Sequence, residues 1–403
     1  MPNEVSLFAR QPIHDSAMRI AGYELLFRGV GDTTARIGDP TSATAEVITR
    51  ALFDKGLEML VGQHPAWINI DRDFLVRRAF TALPPKHVVL EVLETVRDEP
   101  EVLFAMRAAR QAGYAVALDD FELRADTAAL MNECDYIKVD CLGLSPERIR
   151  ERMAELGSTG VRLLAEKVET RETFETCAEA GATLFQGYYF TRPETVHGVE
   201  LRSDRLRLMR VLAELSDPNA TVERLSELIQ TDVTLAYRLL RFANSASLGR
   251  ARKFENVRDA ITMLGLDRVR ACAALMALTS MSDKPAELAR MALVRARYCQ
   301  HIGEARQRDH HKHFAAGLFS VLDAYLDETM ENVLLKLPLD AELSAALVRR
   351  EGELGKALDV ALACERAEWS AASIDGVTIS QLAEALIEAM TWADSLQSAV
   401  ATD

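Results

Sequence analysis

Residues 87–121, HVVLEVLETVRDEPEVLFAMRAARQAGYAVALDDF, hold one complete strand–helix–strand unit. His87–Val92 is a short β-branched run and Tyr114–Leu118 is a second. Between them, over Pro100–Gly113, the residues Val102, Ala105, Met106 and Ala109 recur at the i, i+3, i+4, i+7 spacing of one helix face, and Gly113 is placed to stop the helix. Two strands separated by such a crossover are parallel. Both end in acid, with Glu91 and Glu94 behind the first and Asp119 and Asp120 behind the second.

Working outward, the unit repeats. Strand-like runs occur at Leu7–Ile13, Arg19–Phe27, Trp67–Ile70, Tyr136–Val139, Val161–Ala165 and Leu184–Gln186, with a turn-prone His14–Asp15–Ser16 after the first and a helical pattern over Ala43–Leu60. Eight strands with their helices predict an α/β fold, a TIM-type (β/α)8-like barrel more compact than the usual ~250 residues. An open doubly wound sheet is disfavoured, because no Gly-rich phosphate loop follows the first strand. The pattern breaks at Thr191–Asp204, where Pro193 and Gly198 mark a junction. Beyond it the chain reads as all-α. Ala236, Leu239, Leu240 and Ala243 form one apolar stripe, capped by Asp232, and Val257, Ala260, Ile261 and Leu264 form another, closed by Gly265. The expected division is a barrel domain over 1–198, a helical domain over 199–392 and a C-terminal tail over 393–403, frayed from about Ser398.

The chemistry lies at the strand ends. Glu24 and Arg28 stand near the end of one strand and Asn69 in the next. Glu91, Glu94, Asp119, Asp120, Lys138, Asp140, Glu166 and Gln186 follow in successive units. In a parallel barrel these ends converge on the one rim where such barrels place their active sites. A ring of carboxylates and amides repels itself unless cations sit in it, and hard oxygen donors suit Mg2+ or Mn2+. Two such ions bridged by one aspartate would clamp a phosphate ester for hydrolysis.

Composition narrows the partners. The 403 residues carry a formal charge of −14, which gives no basic stripe for a nucleic-acid polymer. No apolar run reaches the ~18 residues of a membrane span, and MPNEVSLFARQPIHDS has no signal-peptide pattern, so the expected location is the cytoplasm. Six scattered cysteines without a CxxC pair read as small apolar residues.

The motifs GYELLFRG, WINI, LEVLE, LDDF, DYIKVD, AEKVET and QGYYF occur in the order and spacing of EAL domains, the cyclic di-GMP phosphodiesterase family, over residues 5–193. This resemblance implies a barrel that binds cyclic di-GMP and, in active members, two Mg2+ or Mn2+ ions. It also implies a role for each matching residue. Glu24, Asn69, Glu91 and Asp119 would hold one ion, and Asp119 would bridge to a second held with Asp120. Lys138 and Glu166 would orient the attacking water, Gln186 would line the site, Arg28 would grip a ligand phosphate and Glu94 would anchor the loop after Asp120. The chain departs from the family in that loop, where Glu122-Leu123-Arg124-Ala125-Asp126 replaces a glycine-rich segment, and at Lys167, which replaces a glycine and either pairs with a ligand phosphate or a metal-binding carboxylate or points to solvent.

The run from LRLMRVLAEL to DRVRA resembles the HDOD domain, a helical relative of HD phosphohydrolases without their metal site, with Asp232, Asn244, Ser245, Ala260, Leu264 and Gly265 at its recurrent positions. Gly317-Leu318-Phe319 is followed by Ser320-Val321, not by a His-Asp pair, and RQRDHHKH with His310, His311 and His313 reads as a solvated loop. The order of the two domains is similar to that of YuxH-type signalling proteins. Two readings stand: a metal-dependent hydrolase forming linear pGpG with a helical regulatory or output module, or a catalytically silent cyclic di-GMP receptor or scaffold. Both expect an unidentified protein partner through the HDOD half, and homodimerisation through the barrel stays open.

Overall fold

The computed structural model describes residues 8–27, 57–121, 124, 126–157, 160–187, 214, 220–230, 233–246, 256–279, 286–326, 328–337 and 339–401. The chain divides into two compact units, Met1–Arg192 with Leu362–Ser373, and Pro193–Ala361 with Ile374–Asp403. Among the described residues no helix is long and apolar enough to cross a membrane.

In the first unit, β1 (Phe8–Asp15), β2 (Ile20–Phe27), β3 (Ala66–Ile70), β4 (Val88–Val92), β5 (Ala115–Leu118), β6 (Tyr136–Asp140), β7 (Arg162–Glu166) and β8 (Ala182–Phe185) close a barrel in chain order. Helices α1 (Leu57–Val61), α2 (Arg72–Val76), α3 (Pro100–Gln111), α4 (Pro146–Gly157) and α5 (Arg171–Glu179) belong to the crossovers. The rest of the helix expected over Ala43–Leu60 lies outside the described residues. On α3 the side chains of Val102, Ala105, Met106 and Ala109 are all buried, as their spacing predicts.

Parallel pairing holds from β2 to β8 and fails at β1, which is antiparallel to both β2 and β8. The cause is the connection. Asp15 and Arg19 close a tight turn, with Asp15 N donating to Arg19 O at 2.9 Å and Met18 at a φ of 60°. A connection that short can only reverse the chain.

The barrel interior is layered. Ile13, Trp67, Val89, Ala117 and Leu164 form a buried apolar layer, with Tyr136 and Leu184 packed against it. Side chains alternate across a strand, so the residue two positions further on points into the same interior one layer up. Gly22 makes room for the indole of Trp67, since a Cβ there would lie 2.7 Å from its Nε1.

The second unit is helical among its described residues, with α6 (Val222–Gln230), α7 (Val233–Ala246), α8 (Val257–Leu264), α9 (Leu266–Thr279), α10 (Ala286–Ala305), α11 (His310–Phe319), α12 (Leu322–Leu326), α13 (Met330–Lys336), α14 (Ala341–Arg349), α15 (Gly352–Glu365, which runs across the division) and α16 (Ile379–Ala401). Val257, Ala260 and Ile261 are buried as expected, and Gly265 ends α8 at a φ of 83°. The expected cap Asp232 lies outside the described residues, as do the side chains of Asn244 and Ser245. Helix α11 packs on α10 at Gly317, where a Cβ would meet Arg295 O at 2.3 Å. Where an HD pair would stand, Ser320 donates to Gly317 O and accepts from Arg295 at 3.1 Å.

Two expectations are corrected here. His310, His311 and His313 open a helix instead of a solvated loop, because Asp309 caps it by accepting from the amides of His311 and Lys312. His313 is buried, its Nδ1 bonded to Asp309 O at 2.7 Å, and burial lowers its pKa. The segment set apart as a tail continues α16 as far as Ala401, held by buried Ala393 and Leu396.

Candidate active site

One layer above the apolar core, the same period of two places Asn69 beyond Trp67, Glu91 beyond Val89, Asp119 beyond Ala117, Lys138 beyond Tyr136, Glu166 beyond Leu164 and Gln186 beyond Leu184. Glu24 stands two beyond Gly22 on β2, with its Cα beside that of Trp67. Lys138 is the hub. The residue is 1% exposed, and its ammonium bonds Glu91 directly and lies 2.7 Å from Glu166, 3.1 Å from Asp119 and 3.6 Å from Glu24. Glu24 also accepts from Asn69 at 3.1 Å and from Gln186 at 2.7 Å.

Four carboxylates against one ammonium leave excess negative charge in a buried space. The site relieves it by holding protons. Burial, reinforced by Glu24, pushes Glu91 well above the usual carboxylate range. Burial likewise pushes Glu166 up to about 8, with Asp119 and Glu24 adding to the lift against Lys138. For Lys138 desolvation favours the neutral amine, but the carboxylates of Glu166, Glu24, Glu91 and Asp119 outweigh it and raise its pKa.

Asp120 follows at a φ of 39°, which turns its carboxylate back to the rim. Asp119, Asp120 and Glu166 each offer an oxygen within 4.8 Å of the other two. Four buried side-chain oxygens have no hydrogen-bond partner among the described residues: Asn69 Oδ1, Glu91 Oε2, Asp120 Oδ1 and Gln186 Oε1. Such atoms cost energy unless a donor or cation meets them. An all-oxygen set of this kind fits a hard divalent cation.

Lys167 takes the left-handed conformation a glycine would favour, at a φ of 52°. Its ammonium pairs with Asp140 at 2.5 Å and stands 4.0 Å from Asp120. Lys167 thus meets carboxylates at the rim while about half of its side chain faces solvent, so the two placements open in the sequence are both partly met. Glu94 is exposed and apart from the cluster. Residues 122, 123 and 125, in the loop it was expected to anchor, are not described, and neither is Arg28. What is described of that loop is pinned: Arg97 pairs with Asp126 at 3.0 Å, and Asp98 N donates to Asp126 O.

The structure adds Gln11, which accepts from Gln186 at 2.9 Å and pairs in register with Glu24. It stands two residues before Ile13, because β1 runs the other way. Gln186 is fixed in turn by Gly187, whose φ is 149° and where a Cβ would lie 2.3 Å from Val168 N and O. Gly187→Ala should therefore cost about 2–4 kcal/mol of stability. Denaturant unfolding checks it, and an unchanged midpoint would remove the close approach as a constraint.

Comparison with known proteins identifies both halves of the chain. The EAL domain model matches residues 7–193 and the HDOD domain model residues 205–338. The chain belongs to the family of proteins that join an EAL domain to an HDOD domain. It is 32% identical to the cyclic di-GMP phosphodiesterase CdgJ of Vibrio cholerae over 400 residues, 96% of this chain and 92% of that protein. It is 27% identical to YuxH of Bacillus subtilis, over 97% of this chain and 98% of that one. Among solved structures, the manganese and cyclic di-GMP complex of Klebsiella pneumoniae BlrP1 aligns at 26% identity and a TM-score of 0.38, over 48% of this chain and 57% of that chain.

Proposed function

We propose that the barrel hydrolyses cyclic di-GMP to linear pGpG with a divalent cation, Mg2+ or Mn2+, and that the helical half is its regulatory or output module toward a protein partner. The observation that carries this reading is the cradle of unpartnered buried oxygens around Lys138. Relationship to CdgJ over nearly the whole chain supports the substrate. Glu24, Asn69, Glu91 and Asp119 would hold one ion, and Asp119 with Asp120 a second. Bound there, the ions would supply positive charge for the phosphate oxygens and acidify a water.

The protein's own groups do the rest. Lys138 and Glu166 orient a water toward the phosphorus. Glu166, whose carboxyl is pushed up to about 8, takes its proton. The P–O bond to one ribose 3′ oxygen breaks as the new P–O bond forms, and the leaving oxygen is protonated to the 3′ hydroxyl. Gln186 lines the pocket beside Glu24, Arg28 grips a phosphate, and Lys167 restrains Asp120 and Asp140.

The test is product formation from cyclic di-GMP, followed by chromatography with Mg2+, Mn2+ or excess chelator. Linear pGpG should appear with either metal and vanish with chelator. Ion binding must displace the proton that Glu91 holds, and Glu166 must lose its own before it can act as the base. Turnover should therefore rise as pH climbs toward about 8, and the midpoint of that rise should move to lower pH as metal is added. Tight binding with no product under any metal would make the barrel a receptor instead.

A further inference from the structure

The helical unit contains a cavity of about 670 Å3 walled by α7 to α11 and α16. That is the size of a small-molecule site. Its lining is basic in a chain of charge −14: Arg268, Arg270, Arg297 and His311 face it, and none of its described lining residues is acidic. Here Arg270 and Gln300, 6% and 4% exposed, reach the wall from a buried position.

The remaining wall is aromatic. Phe314 and Trp392 meet edge to face, 6.4 Å between centroids at 86°. The Arg297 guanidinium lies 5.6 Å from the Trp392 ring and that of Arg268 5.7 Å from Phe242. Arg297 is held in place, since Glu388 receives two of its bonds at 3.2 and 3.0 Å and Gln300 a third at 3.1 Å. Arg268 is exposed and pairs with no carboxylate among the described residues. Planar guanidinium forks match phosphate oxygens, and aromatic faces match a planar base.

We infer that this cavity binds a mononucleotide, its phosphate on Arg268 and Arg270 and its base against Trp392 and Phe314. The helical half then senses a small anionic ligand of its own, separate from the barrel's substrate.

The test uses the full chain. GMP and AMP are titrated by calorimetry, with guanosine and inorganic phosphate as probes of the base and the charge alone. At least one nucleotide should bind with a Kd below a millimolar, and each partial probe at least tenfold more weakly. Arg268→Glu should weaken the nucleotide at least tenfold while leaving Tm and barrel turnover unchanged. Trp392→Leu should weaken it too and provides the check if the first variant folds poorly. The inference is overturned if neither nucleotide binds at millimolar concentration, or if both variants bind like the parent. It is also overturned if binding disappears with Asp119→Asn, a barrel variant expected to keep its Tm, which would place the nucleotide in the barrel.

Discussion

Lys138→Met should destabilise the barrel by about 3–5 kcal/mol at pH 8 and abolish turnover. Among the described residues its ammonium is the one cation that pairs with Glu24, Glu91, Asp119 and Glu166, all within 3.6 Å of it. Taking away one partner of a buried charge cluster leaves the others uncompensated. The sign of the pH dependence follows from Glu166. Its folded pKa of about 8 lies well above the ordinary value of 4.5, so the folded state binds the proton more tightly across that window. Stability from this group is present below about 4.5 and is lost as pH rises to about 8. Without the ammonium the carboxylates hold their protons harder still, so the variant's deficit should shrink as pH falls from 8 toward 5. Added Mg2+ should also recover part of it, by neutralising the same charge. Thermal unfolding across that pH range, with and without Mg2+, measures all three effects. A variant as stable as the parent at pH 8 would mean that Lys138 does not hold the carboxylates together.

Asp119→Asn should reduce turnover about a thousandfold or more with little change in Tm, a barrier increase of about 4 kcal/mol. The backbone is fixed independently, since Asp119 N donates to Val92 O at 2.9 Å. Asparagine keeps the shape and removes the charge proposed to face both ions. A second signature separates this loss from misfolding. Asp119 helps raise the pKa of Glu166, so in the variant Glu166 should titrate at lower pH, which carboxylate NMR can follow. Glu24→Ala should match the kinetic loss but not the stability, because it strands the Asn69 and Gln186 amides that donate to it. Retained turnover in both variants would remove these residues from the reaction.

The site was legible because strand and side-chain periods are fixed. Once HVVLEV and YAVALDD are taken as strands ending at one rim, Glu91 and Asp119 must lie in one layer, and both touch Lys138. Gln11 escaped because it obeys the same rule with the sign reversed. The turn at His14–Ser16 was visible in the sequence, but its consequence, a strand running backward, changes which neighbour of Ile13 reaches the polar layer. The histidine helix was misread for another reason. Polar density suggests a loop, whereas one cap at Asp309 and the small residue Gly303, where a Cβ would lie 2.7 Å from the His313 ring, suffice to bury that ring. The helical cavity left no local pattern, because its lining comes from six helices between residues 242 and 396. Only their packing brings three arginines together.

The reversal of β1 also determines how the barrel is fastened. β1 meets β2 through seven residue pairs, but it meets β8 through only His14↔Phe185 and Asp15↔Leu184. Among the described residues this seam and β5–β6, with two pairs each, are the shortest of the barrel, and a cylinder breathes at its short seams. Here the next tooth of the zip is a pair of side chains, Gln11 and Gln186, and Gln186 also holds Glu24. Whatever occupies the mouth and engages Gln186 tightens that fastening, and whatever leaves loosens it. The amides of β1 and β8 thus carry a record of occupancy in the slow exchange of their protons with water, far from the phosphate chemistry itself.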